Sequence, residues 1–66
     1  MPMFVRPKWY IFFQTGDTYF YLGRCTRRQL DEFSTISSDL VFVNPMDIEQ
    51  FISDYACFCG GEKIGK

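Results

Sequence analysis

Two periodicities divide the chain. Between residues 44 and 59 (NPMDIEQFISDYACFC), apolar side chains fall at Ile48, Phe51, Ile52, Tyr55 and Cys59. That spacing draws one stripe down a helix of 3.6 residues per turn. The opposite side holds Asp47, Glu49, Gln50, Ser53 and Asp54, with no basic residue among them. Residues 8–14 and 18–24 are rich in aromatic and β-branched side chains and read as strands. Gly16 and Asp17 between them suit a two-residue type II′ hairpin loop with glycine first.

That loop sets a register with Phe13 opposite Phe20, Phe12 opposite Tyr21 and Ile11 opposite Leu22. One hairpin face then shows Trp9, Ile11, Phe13, Phe20 and Leu22, and the other Tyr10, Phe12, Tyr19 and Tyr21. Tyrosine keeps a polar tip that tolerates water. The first face is therefore expected to turn inward and the tyrosine face to stay at least partly exposed.

Residues 25–36 form the first helix expected. Thr26 serves as N-cap, and Gln29 completes a capping box. Leu30, Phe33 and Ile36 supply its apolar side. Residues 40–43 (LVFV) are wholly apolar, as in a central or well-covered strand. The last helix opens on Asn44 as N-cap, Pro45 at the first helical position and Asp47 in the first turn. Gly60 and Gly61 end it. The expected fold is a single α+β domain over residues 1–66, ordered β-β-α-β-α. Its three-stranded sheet, antiparallel or mixed, has two helices on one face. Residues 1–7 form an extended N-terminal arm and 60–66 a flexible tail.

Composition changes this picture in two ways. At 66 residues, a domain buries only about 60% of its unfolded surface, so its thirteen aromatic side chains carry much of the core. The net charge of −1 also conceals a segregation. Residues 1–28 hold five bases and the single acid Asp17, whereas 29–61 hold six acids and no base. Such a split can present two faces of opposite potential. No apolar h-region of a signal peptide and no run of about 20 apolar residues occurs, which points to the cytoplasm and away from a membrane.

Candidate chemistry narrows by exclusion. There is no histidine, the commonest general base, and no glycine-rich phosphate loop before a helix. Cys25, Cys57 and Cys59 are too few for a four-ligand zinc site and odd in number for a disulfide framework. They read as free thiols. The expectation is a binding protein with no catalytic residues, metal or cofactor. Its acidic contact surface would comprise Asp31, Glu32, Asp39, Asp47, Glu49, Gln50 and Asp54, complementing a basic partner. Tyr10, Phe12, Tyr19 and Tyr21 would add aromatic anchors. Two alternatives use other features. Arg24, Arg27 and Arg28 cluster at a helix start and could hold the phosphates of DNA or RNA. A homodimer could instead close over the tyrosine face.

The aromatic hairpin KWYIFFQTGDTYFYLGR, followed by LVFVNPMDIEQFI as strand, cap and helix, resembles the small acidic proteins of phages and mobile elements. Inhibitors of bacterial defence, anti-CRISPR proteins among them, are similar in size and charge. The resemblance implies a stoichiometric inhibitor of a host protein or ribonucleoprotein complex. Such a protein would act in the host cytoplasm, with its acidic surface mimicking nucleic acid.

Overall fold

The computed structural model describes residues 8–66. The expected arm at 1–7 lies outside the described residues. The chain is α+β, with strands β1 (Trp9–Thr15) and β2 (Thr18–Cys25), helix α1 (Arg27–Ser34), strand β3 (Leu40–Val43), helix α2 (Ile48–Asp54), and strands β4 (Ala56–Cys59) and β5 (Glu62–Lys63). The five strands form one mixed sheet in the order β3-β1-β2-β4-β5. Only β2 and β4 pair in parallel.

The local signals act as expected in the first half. Gly16 has φ +60° while Asp17 keeps a negative φ, the combination a type II′ loop requires. Thr15 and Thr18 close the ladder, and Phe12–Tyr21 and Phe13–Phe20 pair directly. Beyond Phe12 the register shifts by one, so Ile11 faces Gly23 and not Leu22. The additional residue is a β-bulge, which bends the strand and tightens its twist. At α1, the Gln29 amide donates to Thr26 Oγ1 (3.1 Å) and the Thr26 amide to Gln29 Oε1 (3.0 Å). That reciprocal pair is the capping box.

The hairpin faces depart from expectation at Phe12, Phe13, Phe20 and Leu22, whereas Ile11 is buried and the three tyrosines stay partly exposed as expected. Phe12 is 1% exposed and forms the core with Val43 and Cys57, flanked by Tyr10, Tyr19, Tyr21, Val41, Ile48 and Phe51. Phe13, Phe20 and Leu22 are 39%, 40% and 59% exposed. The cause is where α2 lands. Its Phe51 ring lies 5.0 Å from both Phe12 and Tyr19, and Tyr55 lies 5.2 Å from Tyr19. Edge-on and tilted aromatic contacts favour this packing beyond area alone. Tyr19 stays half-buried, and its hydroxyl accepts from Gln14 Nε2 at 3.3 Å. The hydroxyl thus finds a partner at the rim.

The helices also sit on opposite faces of the sheet, not on one. Phe33 of α1 borders a hollow with Ile11, Leu22 and Leu40, on the side away from Phe12. The last expected helix is shorter than its periodicity implies. Asn44 caps a turn, its Oδ1 accepting from the Met46 amide at 2.9 Å, and α2 begins only at Ile48. It stops at Asp54, and Ala56–Cys59 extends alongside β2, with Tyr19 opposite Cys57 and Phe20 opposite Phe58. Gly60 and Gly61 (φ +59° and +86°) form a two-residue loop to β5. Residues 60–66 are therefore joined to the sheet. The amides of Ile64 and Gly65 both donate to the Cys57 carbonyl (2.8 and 3.2 Å).

β3 differs in position. Its apolar run suits a covered strand, yet it forms one edge of the sheet.

Candidate functional site

A hollow of about 410 Å³ runs along that edge. Val41, Phe42, Val43 and Asn44 form one wall and Asp47, Gln50, Phe51, Asp54 and Tyr55 of the α2 segment the other, with Trp9 adjoining. The tight turn at Asn44 creates it. Asn44 and the Asp47 amide, which donates to the Asn44 carbonyl at 2.8 Å, fold the chain back so that α2 overhangs β3.

Helical spacing sorts the side chains of α2. Phe51 and Tyr55 point into the aromatic cluster, while Ile48 and Ile52 line a smaller apolar hollow with Tyr10, Phe12 and Tyr21. Asp47, Gln50 and Asp54, spaced i, i+3 and i+7, share the flank above the groove. Asp47 holds the N-cap position of α2, but its carboxylate makes no capping hydrogen bond. Gln50 Nε2 donates to Asp54 Oδ1 at 2.9 Å, tying those two together. Among the described residues, the groove's lining contains two carboxylates and no cation.

The remaining acids are dispersed. Glu49 is exposed in the first turn of α2 and takes no part in the groove lining. Asp39 precedes β3, with its amide donating to Ser37 Oγ at 3.2 Å and its carbonyl accepting from the Gln14 amide at 2.9 Å. Asp31 and Glu32 belong to α1, across the sheet, and Asp31 pairs with Arg27 at 2.7 Å. Of the seven expected residues, Asp47, Gln50 and Asp54 share the groove, Glu49 lies on α2 outside it, Asp39 precedes β3, and Asp31 and Glu32 stand apart on α1, because the two helices occupy opposite faces.

Of the aromatic anchors expected at Tyr10, Phe12, Tyr19 and Tyr21, the three tyrosines are half-buried around Phe12. They underlie α2, and Phe12 is fully enclosed. Two of the three arginines are engaged within the chain. Arg24 stacks on Tyr10, 4.2 Å from the ring centroid, and donates to the Lys8 carbonyl at 2.9 Å. Arg27 engages Asp31 and lies 5.9 Å over the Trp9 ring. Arg28 is exposed.

Cys25 and Cys57 are buried and Cys59 is exposed. Burial raises both enclosed thiols above the ordinary 9.0, because the thiolate is poorly solvated there. They behave as small core hydrophobes. Among the described residues, no three cysteine or carboxylate side chains are grouped to hold a metal ion. No described helix is long and apolar enough to cross a membrane.

Trp9, Val41, Val43, Asn44 and Tyr55 join the site only through the fold. For Val41 and Val43 the sequence signal is LVFV itself, a strand with neither charge nor proline. Comparison of the chain with protein-family models, with curated proteins and with solved structures returns no match.

Proposed function

We propose that this chain is a non-catalytic binding protein whose working surface is the acidic flank of α2 and the groove beneath it. The observation that carries this reading is the stripe Asp47, Gln50 and Asp54, which borders a largely apolar groove with no cation among its described lining residues. Carboxylates so placed complement a basic surface, while Val41 and Tyr55 offer apolar contact beside them. Read with the resemblance of size, charge and hairpin, the function is that of a phage-type, anti-CRISPR-like inhibitor. Its partner is a host nucleic-acid-handling protein or ribonucleoprotein complex, and the acidic flank takes the place of a nucleic-acid backbone.

The test is capture of the partner from a bacterial lysate, followed by mass spectrometry, with the wild-type chain and the variant D47K/E49K/D54K compared. Loss of the captured complex in a variant with an unchanged circular dichroism spectrum is the expected result. Equal capture by both would remove the acidic flank from the mechanism.

One observation favours a second reading. Phe13, Phe20 and Leu22 are exposed together on the face opposite α2, and Phe20 adjoins Phe58 at 5.6 Å. An apolar face of this kind can close a homodimer. It replaces the tyrosine face as the self-association surface. Sedimentation showing a monomer at high concentration would dismiss it. For the arginine reading there is no comparable support, since Arg24 and Arg27 are engaged within the chain.

A further inference from the structure

The two edges of the sheet are protected very differently. β5 is two residues long and charged (Glu62–Lys63), the usual way to discourage pairing with another strand. β3 ends the other side with four consecutive apolar residues and no proline, lysine or bulge. Among the described residues, nothing pairs with its outer side.

The ladder shows which backbone groups are left. The Gln14 amide donates to the Asp39 carbonyl, so that pair is hydrogen-bonded. Alternation along an antiparallel pair then directs the N–H and C=O groups of Val41 and Val43 toward β1. Those of Leu40 and Phe42 face outward. Two donors and two acceptors therefore lie beside the floor of the groove, with the acidic flank of α2 above them.

We infer that β3 receives an extended segment of a partner protein by strand addition, and that the segment has the pattern basic-x-apolar-x-basic. This rests on the binding role proposed above and specifies how the partner is held. Backbone pairing with Leu40 and Phe42 supplies the register. Alternate side chains of the incoming strand rise toward α2. The central apolar one meets Phe51 and Tyr55, and the outer two reach Asp47 and Asp54. Those carboxylates are about 10 Å apart along the helix at 1.5 Å per residue. Residues i and i+4 of a strand are about 13 Å apart, a difference that long lysine or arginine side chains absorb. Charge complementarity selects the occupant, because a second copy of β3 would bring Asp39 and more apolar side chains but no base.

The test uses a blocked synthetic heptapeptide, Thr-Lys-Thr-Val-Thr-Lys-Thr, and a second version methylated on the backbone nitrogens of its edge-facing residues. Trp9 adjoins the groove and is the only tryptophan, so its fluorescence reports occupancy. Amide exchange reads the edge directly. The unmodified peptide is expected to shift Trp9 emission and to protect the amides of Leu40 and Phe42. Methylation should weaken binding about tenfold or more, through the loss of two backbone hydrogen bonds.

Equal binding of both peptides would overturn strand addition while leaving the acidic flank intact as a binding surface. Methylation-sensitive binding that survives D47K/D54K would leave strand addition standing and refute the charge pattern. Absence of binding by the unmodified peptide would overturn the inference. So would protection of Leu40 and Phe42 that rises with protein concentration alone, which identifies a second copy as the occupant. An equal Trp9 response to a single-stranded oligonucleotide, without amide protection, would assign the groove to nucleic acid.

Discussion

The rings of Phe12 and Phe51 stand 5.0 Å apart, centroid to centroid, inclined at 45°. That contact fixes α2 to the sheet and thereby builds one wall of the groove. Phe12 is fully buried, so Phe12→Ala removes a large transfer contribution and leaves a cavity, at a cost of about 3–5 kcal/mol. A domain of this size has a total stability of only about 3–10 kcal/mol. Chemical denaturation should therefore find Phe12→Ala largely unfolded or shifted to a much lower midpoint. Phe13→Ser, on the exposed face, should move the midpoint little.

Gly65→Ala tests how closely the chain end is packed. A Cβ at that position would collide with the Ile52 carbonyl oxygen and lie 2.8 Å from that of Tyr55. Both neighbours are backbone, so relief requires moving the end of α2. Overpacking of this kind costs about 1–3 kcal/mol. A lowered melting temperature in thermal unfolding is the expected result, and an unchanged one would contradict the docking of residues 64–65.

The thiols should separate by reactivity and by pH. Under native conditions a thiol reagent should modify Cys59 alone, with Cys25 and Cys57 reacting only in denaturant. The folded chain retains thiol protons that the unfolded chain releases from 9.0 upward. In that window the unfolded state binds fewer protons, so stability falls as pH rises. Denaturation midpoints measured between pH 8 and about 10 should decline less steeply in the C25A/C57A variant than in the wild type.

Thr26→Ala should cost about 1 kcal/mol, because its side chain satisfies an otherwise unpaired amide at the start of α1. Gln29→Ala removes the reciprocal half of the box and should cost less. Denaturant titrations of the two single variants and of the double variant check both the ranking and the coupling between them.

The parts of the fold legible in the sequence are those decided within a few residues. Gly16-Asp17 specifies its loop, Thr26 and Gln29 specify a cap, and the apolar run 40–43 specifies a strand. Ala56–Cys59 was not legible because Tyr55 and Cys59 continue the helical spacing of Ile48, Phe51 and Ile52. What makes it a strand is pairing with Thr18–Phe20, far away in the chain. Gly60-Gly61 carried the information in another form. Two glycines before Glu62–Lys63 suit a tight hairpin loop as well as a helix stop. The polarity of tyrosine does not show where Phe12 packs, because the deciding factor is the aromatic complement offered by Phe51 and Tyr55. At the site, the acids Asp47 and Asp54 were legible from the amphipathic pattern. Their separation from Asp31 and Glu32 depended on which side of the sheet each helix covers.

The parallel pairing of β2 with β4 also constrains the order in which the molecule can assemble. Thr18 and Ala56 are about 38 positions apart, and bringing them together carries a loop-closure entropy of roughly 3 kcal/mol or more. The hairpin can form while its own residues are emerging from a ribosome, but the sheet cannot. Until residues 56–58 are available, the outer side of β2 is a second bare edge, and Phe12 and Tyr19 lack the Cys57 layer beside them. Nascent chains arrested before residue 56 should therefore be the species most exposed to proteolysis and to mispairing.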